Sequence, residues 1–287
     1  MQQCGVLYVV ATPIGNLADI TERARNTLSE VDLIAAEDTR ETRRLLAHCG
    51  IAATLVSYHD HNESTAATRI LADLEQGRKV ALVSDAGTPL ISDPGYTLVS
   101  RARELGVRVV PVPGASAAIC ALSAAGLPSD RFLFLGFPPR TSSQRLAWLD
   151  AVAGEPGTLI LYESAKRALA TLQDIAAALG ATRRVVLARE LTKHFETFLT
   201  GRPDELVQRL EQDPEQQLGE LVILVEGRGR DAEHALRAEQ ERVLRILADD
   251  LPLSQAAAMA ARLTGTKKNA IYRLGLELGL DADRSVP

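Results

Sequence analysis

The chain has 287 residues, about two domains in length, and its 32 basic and 37 acidic residues give a formal charge of −5. With 46% hydrophobic and 24% charged residues, the composition is that of a folded protein and excludes an intrinsically disordered one. The three cysteines, Cys4, Cys49 and Cys120, are odd in number and widely spaced. They exclude a disulfide framework and a zinc site of paired cysteines, and they favour a reducing, cytoplasmic location.

The longest stretch without charge runs from Val109 to Leu127 and approaches the length of a membrane span. Pro111, Pro113 and Gly114 interrupt it, and its second half is mostly alanine. We therefore interpret it as a buried strand, a turn and a buried helix. We expect no membrane segment, and the N-terminus lacks the basic region of a signal peptide.

The first part of the chain alternates short apolar runs with helical patterns. Strands are predicted at 7–10, 33–36, 80–83 and 107–110, and helices at 20–28, 41–47, 64–74, 96–105 and 115–125. Such alternation is typical of a largely parallel sheet that is covered on both faces. A cluster of helix and strand breakers at 126–130 ends this part of the chain.

A second set of elements follows the breakers. Strands are predicted at 132–135, 158–162, 185–188, 196–200 and 220–225, and helices near 144–152 and 165–179. Some of these strands are close enough in sequence to be antiparallel neighbours, and from residue 232 the pattern is entirely helical. We therefore predict an α/β protein of three parts: an N-terminal α/β domain over 1–127, a C-terminal α/β domain over 128–228 and a helical extension over 229–287.

Three loops that follow predicted strands are rich in Gly, Pro, Asp and Thr, and they span residues 11–16, 84–89 and 113–117. In open α/β sheets, ligands bind beyond the carboxyl ends of the strands, where loop N–H groups suit an anionic group. We therefore expect the three loops to converge on one ligand-binding crevice. The alternative is that the loops are only tight turns. The chain contains no GxGxxG after its first strand and no P-loop pattern, which disfavours an ordinary dinucleotide or ATP site.

Two further polar segments allow both a functional and a structural interpretation. The segment 37–40, Glu-Asp-Thr-Arg, places an acid, a hydroxyl and a base after the second strand, or supplies the N-cap of the next helix. The segment 59–61, His-Asp-His, resembles a set of metal ligands but has no distant partner. We expect no metal there, and we predict a polar loop in which Ser64 caps the following helix.

The sequence pattern of the C-terminal region predicts a helix, a glycine turn and a second helix. The first helix covers 253–263, and the second, 269–278, has Lys267, Lys268 and Arg273 at or before its first turn. This pattern resembles a helix-turn-helix, in which the second helix meets nucleic acid. A helical hairpin that only packs on the protein body or on a second subunit is the alternative, and the sequence leaves both open.

Five longer motifs resemble those of one family. They are Ala-Thr-Pro-Ile-Gly-Asn-Leu at 11–17, Ala-Glu-Asp-Thr-Arg at 36–40, Ser-Asp-Ala-Gly-Thr-Pro-Leu-Ile-Ser-Asp-Pro-Gly at 84–95, Val-Pro-Gly-Ala-Ser-Ala at 112–117 and Ala-Arg-Glu-Leu-Thr-Lys at 188–193. In this order they resemble the ribosomal RNA small subunit methyltransferase I family, of the tetrapyrrole-methylase-like superfamily. The resemblance covers nearly the whole chain, including its C-terminal region.

The resemblance implies an S-adenosylmethionine-dependent enzyme that methylates the ribose 2′-oxygen of a cytidine in the decoding region of small-subunit ribosomal RNA. It also implies two α/β domains with the cofactor in the cleft between them, and a homodimer. By position, it implies cofactor contacts at Pro13, Asp85, Gly87, Thr88, Ser116, Ala117, Tyr162, Ala188 and Gly219. One departure is Ala165-Lys166, where relatives often carry a histidine, so no histidine role is transferred there.

A ribose hydroxyl needs a general base, for which Asp38, Glu190 and a neutral Lys193 are the candidates, and Arg40 or Arg189 are candidates for holding a phosphate. Local basic surface for RNA is expected at Arg43, Arg44, Arg140, Arg145, Lys267, Lys268 and Arg273. Two alternatives remain open. One is a methyltransferase for a tetrapyrrole or another small substrate, and the other is a non-catalytic nucleic-acid-binding sensor of a small ligand.

Overall fold

The computed structural model describes residues 5–228 and 230–280. The chain divides into two compact units, one of Met1–Ala153 with Gly157–Glu226 and one of Gly154–Pro156 with Gly227–Pro287. The division predicted at residue 127 falls inside the first unit, between two sheets, and stays a prediction. Cys4, Gly229 and positions 281–287 of the predicted extension lie outside the described residues.

Five parallel strands form the first sheet, as the alternation of strands and helices predicted. They are β1 (Val6–Val10), β2 (Leu33–Ala36), β3 (Leu55–Ser57), β4 (Lys79–Val83) and β5 (Arg108–Val112). Their order across the sheet is β3-β2-β4-β1-β5. The sequence analysis missed β3, because this edge strand has only three residues and none of them is fully buried.

Helices connect these strands: α1 (Glu22–Glu30), α2 (Thr39–Cys49), α3 (Glu63–Glu75), α4 (Tyr96–Glu104) and α5 (Ala117–Ala124). The predicted cap of α2 is confirmed, since the Asp38 side chain accepts a hydrogen bond from the backbone N–H of Arg40 at 2.8 Å. The predicted cap of α3 by Ser64 is wrong. The helix already begins at Glu63, whose carboxylate accepts the hydroxyl of buried Tyr58 at 2.9 Å, so Ser64 lies within its first turn.

The second sheet is mixed, as predicted. Its strands are β6 (Phe132–Gly136), β7 (Thr158–Ser164), β8 (Val185–Arg189), β9 (Thr197–Gly201) and β10 (Glu220–Val225). Their order is β6-β7-β10-β8-β9, with β6 and β7 parallel and the other pairs antiparallel. Helices α6 (Ser142–Asp150), α7 (Ala168–Leu179) and α8 (Pro203–Gln212) accompany this sheet. The sequence analysis missed α8, although Pro203 at its first position and Glu205, which bonds the backbone N–H of Arg202, are helix-start signals.

Both sheets of the larger unit are buried on two faces. Alternate residues of β2 enter different cores: Leu33 and Ala35 pack with α3 and α4, whereas Ile34 and Ala36 pack with α1 and α2. In β7 the same alternation sends Leu159 and Leu161 to one face and Ile160 to the other. Two-sided burial explains why these strands read as continuous apolar runs.

Helix α5 belongs to the first part of the chain but packs against the second sheet. Its Ala118, Ala121 and Leu122 share a core with Ile160 of β7 and Val222 of β10. The predicted order of strand, turn and helix over Val109–Leu127 is confirmed, but the prediction of a buried strand is wrong, because β5 is an edge strand in which only Val112 is fully buried. The helix fixes the carboxyl ends of the first sheet next to the second sheet.

The smaller unit contains three helices in its described part: α9 (Arg230–Asp250), α10 (Leu253–Leu263) and α11 (Lys268–Glu277). Small residues of α10, including Ala256, Ala257 and Ala260, pack with Leu244 of α9 and Ile271 of α11. The helical pattern predicted for this region is confirmed. In residues 5–228 and 230–280, no helix combines the length and the apolar character that crossing a bilayer requires.

Arg145 is not part of a basic surface, which corrects the sequence prediction. Its side chain is only 3% exposed, and its guanidinium forms an ion pair with Asp174 of α7. The Arg145 Nε lies 2.7 Å from the Asp174 Oδ2. The guanidinium also donates to the carbonyls of Pro139 and Arg140, while Ser142 donates to the second Asp174 oxygen. Arg145 was mistaken for a surface residue because a charged side chain is rarely buried unless paired.

Arg145→Ala is expected to lower the free energy of unfolding by about 3–5 kcal/mol, because it leaves the Asp174 carboxylate buried without a cationic partner. Urea unfolding followed by circular dichroism measures this. The matched control is Arg44→Ala, which removes an exposed ion pair with Glu41 and is expected to cost less than about 1 kcal/mol. Equal losses in the two variants would contradict the assignment of a buried pair.

Candidate active site

The loops after β1 and β4 are hydrogen-bonded to each other. The backbone N–H of Thr12 donates to the Gly87 carbonyl at 2.9 Å, and the N–H of Gly87 donates back to the Thr12 carbonyl at 3.1 Å. The Thr12 hydroxyl also donates to the carbonyl of Ser84 at 3.2 Å. Gly87 has a φ of +85°, a left-handed conformation that favours glycine. The two loops therefore form one rigid edge beyond the first sheet.

The loop after β5 joins this edge and connects it to the second sheet. The Thr88 hydroxyl donates to the Ala115 carbonyl at 2.9 Å. The backbone N–H of Ala118, in the first turn of α5, donates to the hydroxyl oxygen of Tyr162 in β7 at 3.2 Å. Burial raises the pKa of the Tyr162 hydroxyl, so it stays neutral. The three loops predicted to meet at one sheet edge do so, and they face β7.

A cavity of about 360 Å³ lies where these loops face the second sheet. Its walls are Ile14, Glu37, Asp85, Ala86, Gly87, Thr88, Ile91, Ser92, Asp93, Ser116, Ala117, Phe137, Tyr162, Glu163, Ser164, Ala188, Leu191, Gly219, Glu220, Leu221 and Val222. The loops of the first sheet contribute small and acidic residues together with Ile14 and Ile91, and the second sheet contributes apolar residues together with Glu163 and Glu220. Volume and lining are those of a small-molecule site.

Two strained segments form part of the cavity wall. Leu90 and Ser92 have φ values of +73° and +69°, and Glu190 and Thr192 have φ values of +50° and +65°. In each segment the residue in between, Ile91 or Leu191, lines the cavity. Non-glycine residues with positive φ cost about 1–3 kcal/mol each and concentrate at functional sites.

The carboxyl groups at the cavity do not share one environment. Burial, followed by repulsion from Glu37, raises the pKa of Asp93 to about 6. Burial also raises the pKa of Glu37, with further contributions from the charges of Asp85, Asp60 and Asp38. Perturbed carboxyl groups in a cleft are characteristic of functional sites.

Two family models match the chain. The model described as Tetrapyrrole (Corrin/Porphyrin) Methylases matches residues 6–207, which contain the first sheet and every strand of the second sheet except β10. The model described as RsmI C-terminal HTH domain matches residues 234–279. Among curated relatives, the ribosomal RNA small subunit methyltransferase I of Escherichia coli O157:H7 is 56% identical over 273 residues, or 95% of each chain.

The chain belongs to the ribosomal RNA small subunit methyltransferase I family. Its relative in Pseudomonas aeruginosa is 52% identical over 95% of this chain and 97% of that protein. Solved structures share the fold at lower identity. The methyltransferase CobJ has a TM-score of 0.58 and 20% identity, and diphthine synthase has a TM-score of 0.60 and 14% identity. They cover 78% and 77% of this chain, and 94% and 90% of their own chains.

Most residues to which the family resemblance assigned a cofactor contact line the cavity. These are Asp85, Gly87, Thr88, Ser116, Ala117, Tyr162, Ala188 and Gly219. Pro13 is buried and not a lining residue, but its neighbour Ile14 is. The resemblance did not single out Glu37 or Asp93, although both lie within its quoted motifs. Cofactor binding by all of these residues stays a prediction.

Two of the three predicted general bases are held as ions by a shared network. The Lys193 ammonium donates to the carboxylates of Glu190 and Glu220, each at 3.0 Å. Partial burial lowers the pKa of Lys193, but these hydrogen bonds outweigh it and raise the pKa above its ordinary value. Burial raises the pKa of Glu190, but hydrogen bonds from the Glu220 backbone and from Lys193 outweigh it and lower the pKa. The neutral form that a base at Lys193 requires is therefore disfavoured.

Asp38, the third predicted base, is engaged by Arg40. The Arg40 Nε donates hydrogen bonds to both Asp38 carboxylate oxygens, at 3.0 Å and 3.1 Å. These hydrogen bonds lower the pKa of Asp38 to about 2. Such a carboxylate is a weak proton acceptor. Arg189 is also corrected as a phosphate ligand, since it is buried and donates to Thr197, Gln216 and the Leu218 carbonyl. Arg40 is exposed and stays a predicted phosphate ligand.

The segment 59–61 holds no metal site in the described part of the chain, where no group of three or more suitable side chains meets. The rings of His59 and His61 instead contact each other edge to face, with centroids 5.9 Å apart. Their loop follows β3, and the charge of Asp60 acts on both Glu37 and Asp93. This loop therefore belongs to the acidic side of the cavity.

Asp93→Asn is expected to stabilise the ligand-free protein at neutral pH. The pKa of Asp93 is about 6 when folded against an ordinary 3.8, so charging the carboxylate penalises the folded state as the pH rises through this range. The gain, about 1 kcal/mol after allowance for solvent screening, is expected near pH 8 and absent near pH 4. Urea unfolding at both pH values measures it.

The control for this prediction is Asp150→Asn, at the exposed C-terminal end of α6. It removes a carboxylate remote from the cavity and is expected to change stability by less than about 0.5 kcal/mol. A loss of stability in Asp93→Asn that is the same at both pH values would show that the hydrogen bond to Ser84 outweighs the charge effect.

Proposed function

We propose that the protein transfers a methyl group from S-adenosylmethionine to the ribose 2′-oxygen of a cytidine in the decoding region of small-subunit ribosomal RNA. The carrying observation is 50–56% identity to relatives named ribosomal RNA small subunit methyltransferase I, over 95% of this chain and most of theirs. The same match includes the C-terminal helices. A cytoplasmic location and a homodimer, which the resemblance implies, form part of the proposal.

The cavity residues fit the proposed cofactor. Small residues, including Gly87, Ala117 and Ala188, let a flat adenine ring approach the backbone, and Ile14 and Val222 give it apolar contact. The acidic side, with Asp85 and Asp93, favours the positive charges of a sulfonium and an ammonium group. When bound, the cofactor supplies an activated methyl group.

The chain's own contribution is orientation. Loops that are hydrogen-bonded to one another, and to β7 through Tyr162, hold the walls in one arrangement. Positioning a hydroxyl in line with a methyl donor is able to remove about 7 kcal/mol or more of an activation barrier. Exclusion of water by Ile91, Phe137 and Leu191 would protect the reacting groups.

RNA is proposed to bind local basic surface, since the whole chain is acidic. Arg43 and Arg44 are exposed on α2, directly after the acidic segment at the cavity, and Arg140 is exposed before α6. In the smaller unit, Lys267, Lys268 and Arg273 are exposed at or near the start of α11. This is the helix that contacts nucleic acid in a helix-turn-helix.

The alternative within the superfamily is methylation of a small tetrapyrrole. A substrate of that size would give the smaller unit no role in substrate binding. Four solved methyltransferase structures, two of them titled uroporphyrin-III C-methyltransferase, are matched over 94–98% of their own length, but they cover only 77–80% of this chain. At 16–21% identity they support the fold alone. The extra helices and their lysines favour a large anionic substrate.

The direct test incubates the purified protein with methyl-labelled S-adenosylmethionine and small ribosomal subunits that lack the modification. Alkaline hydrolysis cleaves RNA only next to a free 2′-hydroxyl, so label in an alkali-resistant dinucleotide with a 5′ cytidine supports the proposal. Label in mononucleotides would place the methyl group on a base. Cofactor binding without any transfer would favour the non-catalytic ligand sensor.

Lys268→Gln is expected to weaken binding to small subunits and to reduce the slope of log affinity against log salt by about 0.7–1, because one phosphate contact is lost. Filter binding at several potassium chloride concentrations measures the slope. The control is Lys79→Gln, which removes the same charge from the exposed amino end of β4. An unchanged slope in Lys268→Gln would exclude a phosphate contact by this residue.

A further inference from the structure

Glu37, like Asp93, differs from the other carboxylates that line the cavity in having little compensation for its charge. The Glu163 carboxylate accepts the Thr171 hydroxyl at 2.7 Å and the Ser164 backbone N–H at 2.8 Å, and it lies 3.4 Å from the Arg167 guanidinium. The Glu220 carboxylate accepts the ammonium of Lys193. These groups are engaged in the structure of the second sheet and are poor choices for chemistry.

On the side of the first sheet, Asp85 accepts the backbone N–H of Asp38 at 2.8 Å, and Asp93 has a hydrogen bond with Ser84. Glu37 accepts only the backbone N–H of Asp85, at 3.4 Å. In residues 5–228 and 230–280 no lysine or arginine forms an ion pair with it. The Glu37 carboxylate, whose one hydrogen bond is long, therefore keeps its capacity to accept a proton, and among the other lining carboxylates only Asp93 is comparably uncompensated.

The position of Glu37 follows from the sheet. It comes directly after β2, so it lies at the carboxyl edge of the first sheet, beside the loop of β4. The next residue, Asp38, turns away to cap α2. The two adjacent acids therefore have different roles: Asp38 caps α2, and Glu37 faces the cavity.

The electrostatic surroundings make Glu37 a stronger base than an ordinary glutamate. Burial raises the pKa of its carboxyl, and the charged groups that face it are all acidic: Asp38 at the start of α2, Asp60 in the loop after β3, Asp85 after β4, and Asp93 before α4. A carboxylate with a raised pKa accepts a proton more readily.

We propose that Glu37 is the catalytic base that accepts the proton of the attacking ribose hydroxyl, an inference that rests on the proposed function. The proton passes from the 2′-oxygen to a Glu37 carboxylate oxygen. The oxygen's freed electron pair forms the bond to the methyl carbon, while the pair of the carbon–sulfur bond returns to sulfur. The carboxylate and the sulfonium are both neutralised, so charge and atoms balance. A base of this kind contributes roughly 10²–10⁴-fold.

The test compares the wild type with Glu37→Gln in single turnovers at saturating S-adenosylmethionine and small subunits lacking the modification. We expect a rate about 10²–10⁴-fold lower in the variant, and cofactor affinity by calorimetry changed by less than about fivefold. The wild-type rate should rise with pH and level off above the pKa of Glu37, whereas the Glu37→Gln rate should keep rising. Glu37→Asp, which keeps the carboxylate, should recover part of the rate and the levelling.

The control is Glu30→Gln, which removes an exposed carboxylate at the end of α1, before the amino end of β2. It is expected to leave the rate unchanged. A second measurement is independent of turnover: carbon NMR of glutamate-labelled protein should contain one carboxyl signal with a raised pKa, and Glu37→Gln should lack it.

The outcomes separate the two proposals. Wild-type transfer with an equally fast Glu37→Gln, or with no raised glutamate titration, overturns the role of Glu37 and leaves the proposed function standing. A slow Glu37→Gln whose rate recovers fully at higher cofactor concentration also overturns it, because the residue then only binds. Absence of transfer by the wild type overturns the proposed function and the role of Glu37 together.

Discussion

The packing of α5 on the second sheet is the interaction on which the site depends. The helix leaves the first sheet after β5, yet its buried alanines and Leu122 lie among side chains of β7 and β10. Its first turn also donates a backbone hydrogen bond to Tyr162. Because a helix is stiff, this anchoring sets the separation of the two sheets, and with it the width of the cavity. The loops that carry the acidic and small residues then need only meet one another.

Electrostatics divides the acids near the cavity into two classes. Those with cationic partners, such as Asp38 beside Arg40 and Glu190 beside Lys193, are stabilised as ions and hold loops and helix ends in place. Those without such partners, Glu37 and Asp93, repel each other and are costly to charge. The repulsion between these two carboxylates is unfavourable, and a bound cationic ligand or protonation of one carboxylate reduces it.

The sequence predicted the two sheets, the helical C-terminal region and the meeting of three loops, because these depend on apolar periodicity and on turn residues. It missed β3, where the apolar signal is short, and it missed α8 although the helix-start residues Pro203 and Glu205 are present. It misplaced Arg145, whose partner Asp174 is distant in sequence. Eight of the nine cofactor contacts that the family resemblance implied line the cavity. The resemblance could not choose the base, because the acidic surroundings of Glu37 come from loops that only the fold brings together.

The paired positive φ values at 90 and 92, and at 190 and 192, have a consequence for how the protein tolerates change. Glycine at these positions would remove the backbone strain, so selection for more stable variants would favour it. The gain would come with a wider range of backbone geometries for Ile91 and Leu191, and the shape of the ligand chamber would be less well defined. Thermal stability and precise substrate alignment therefore place opposite demands on these four residues.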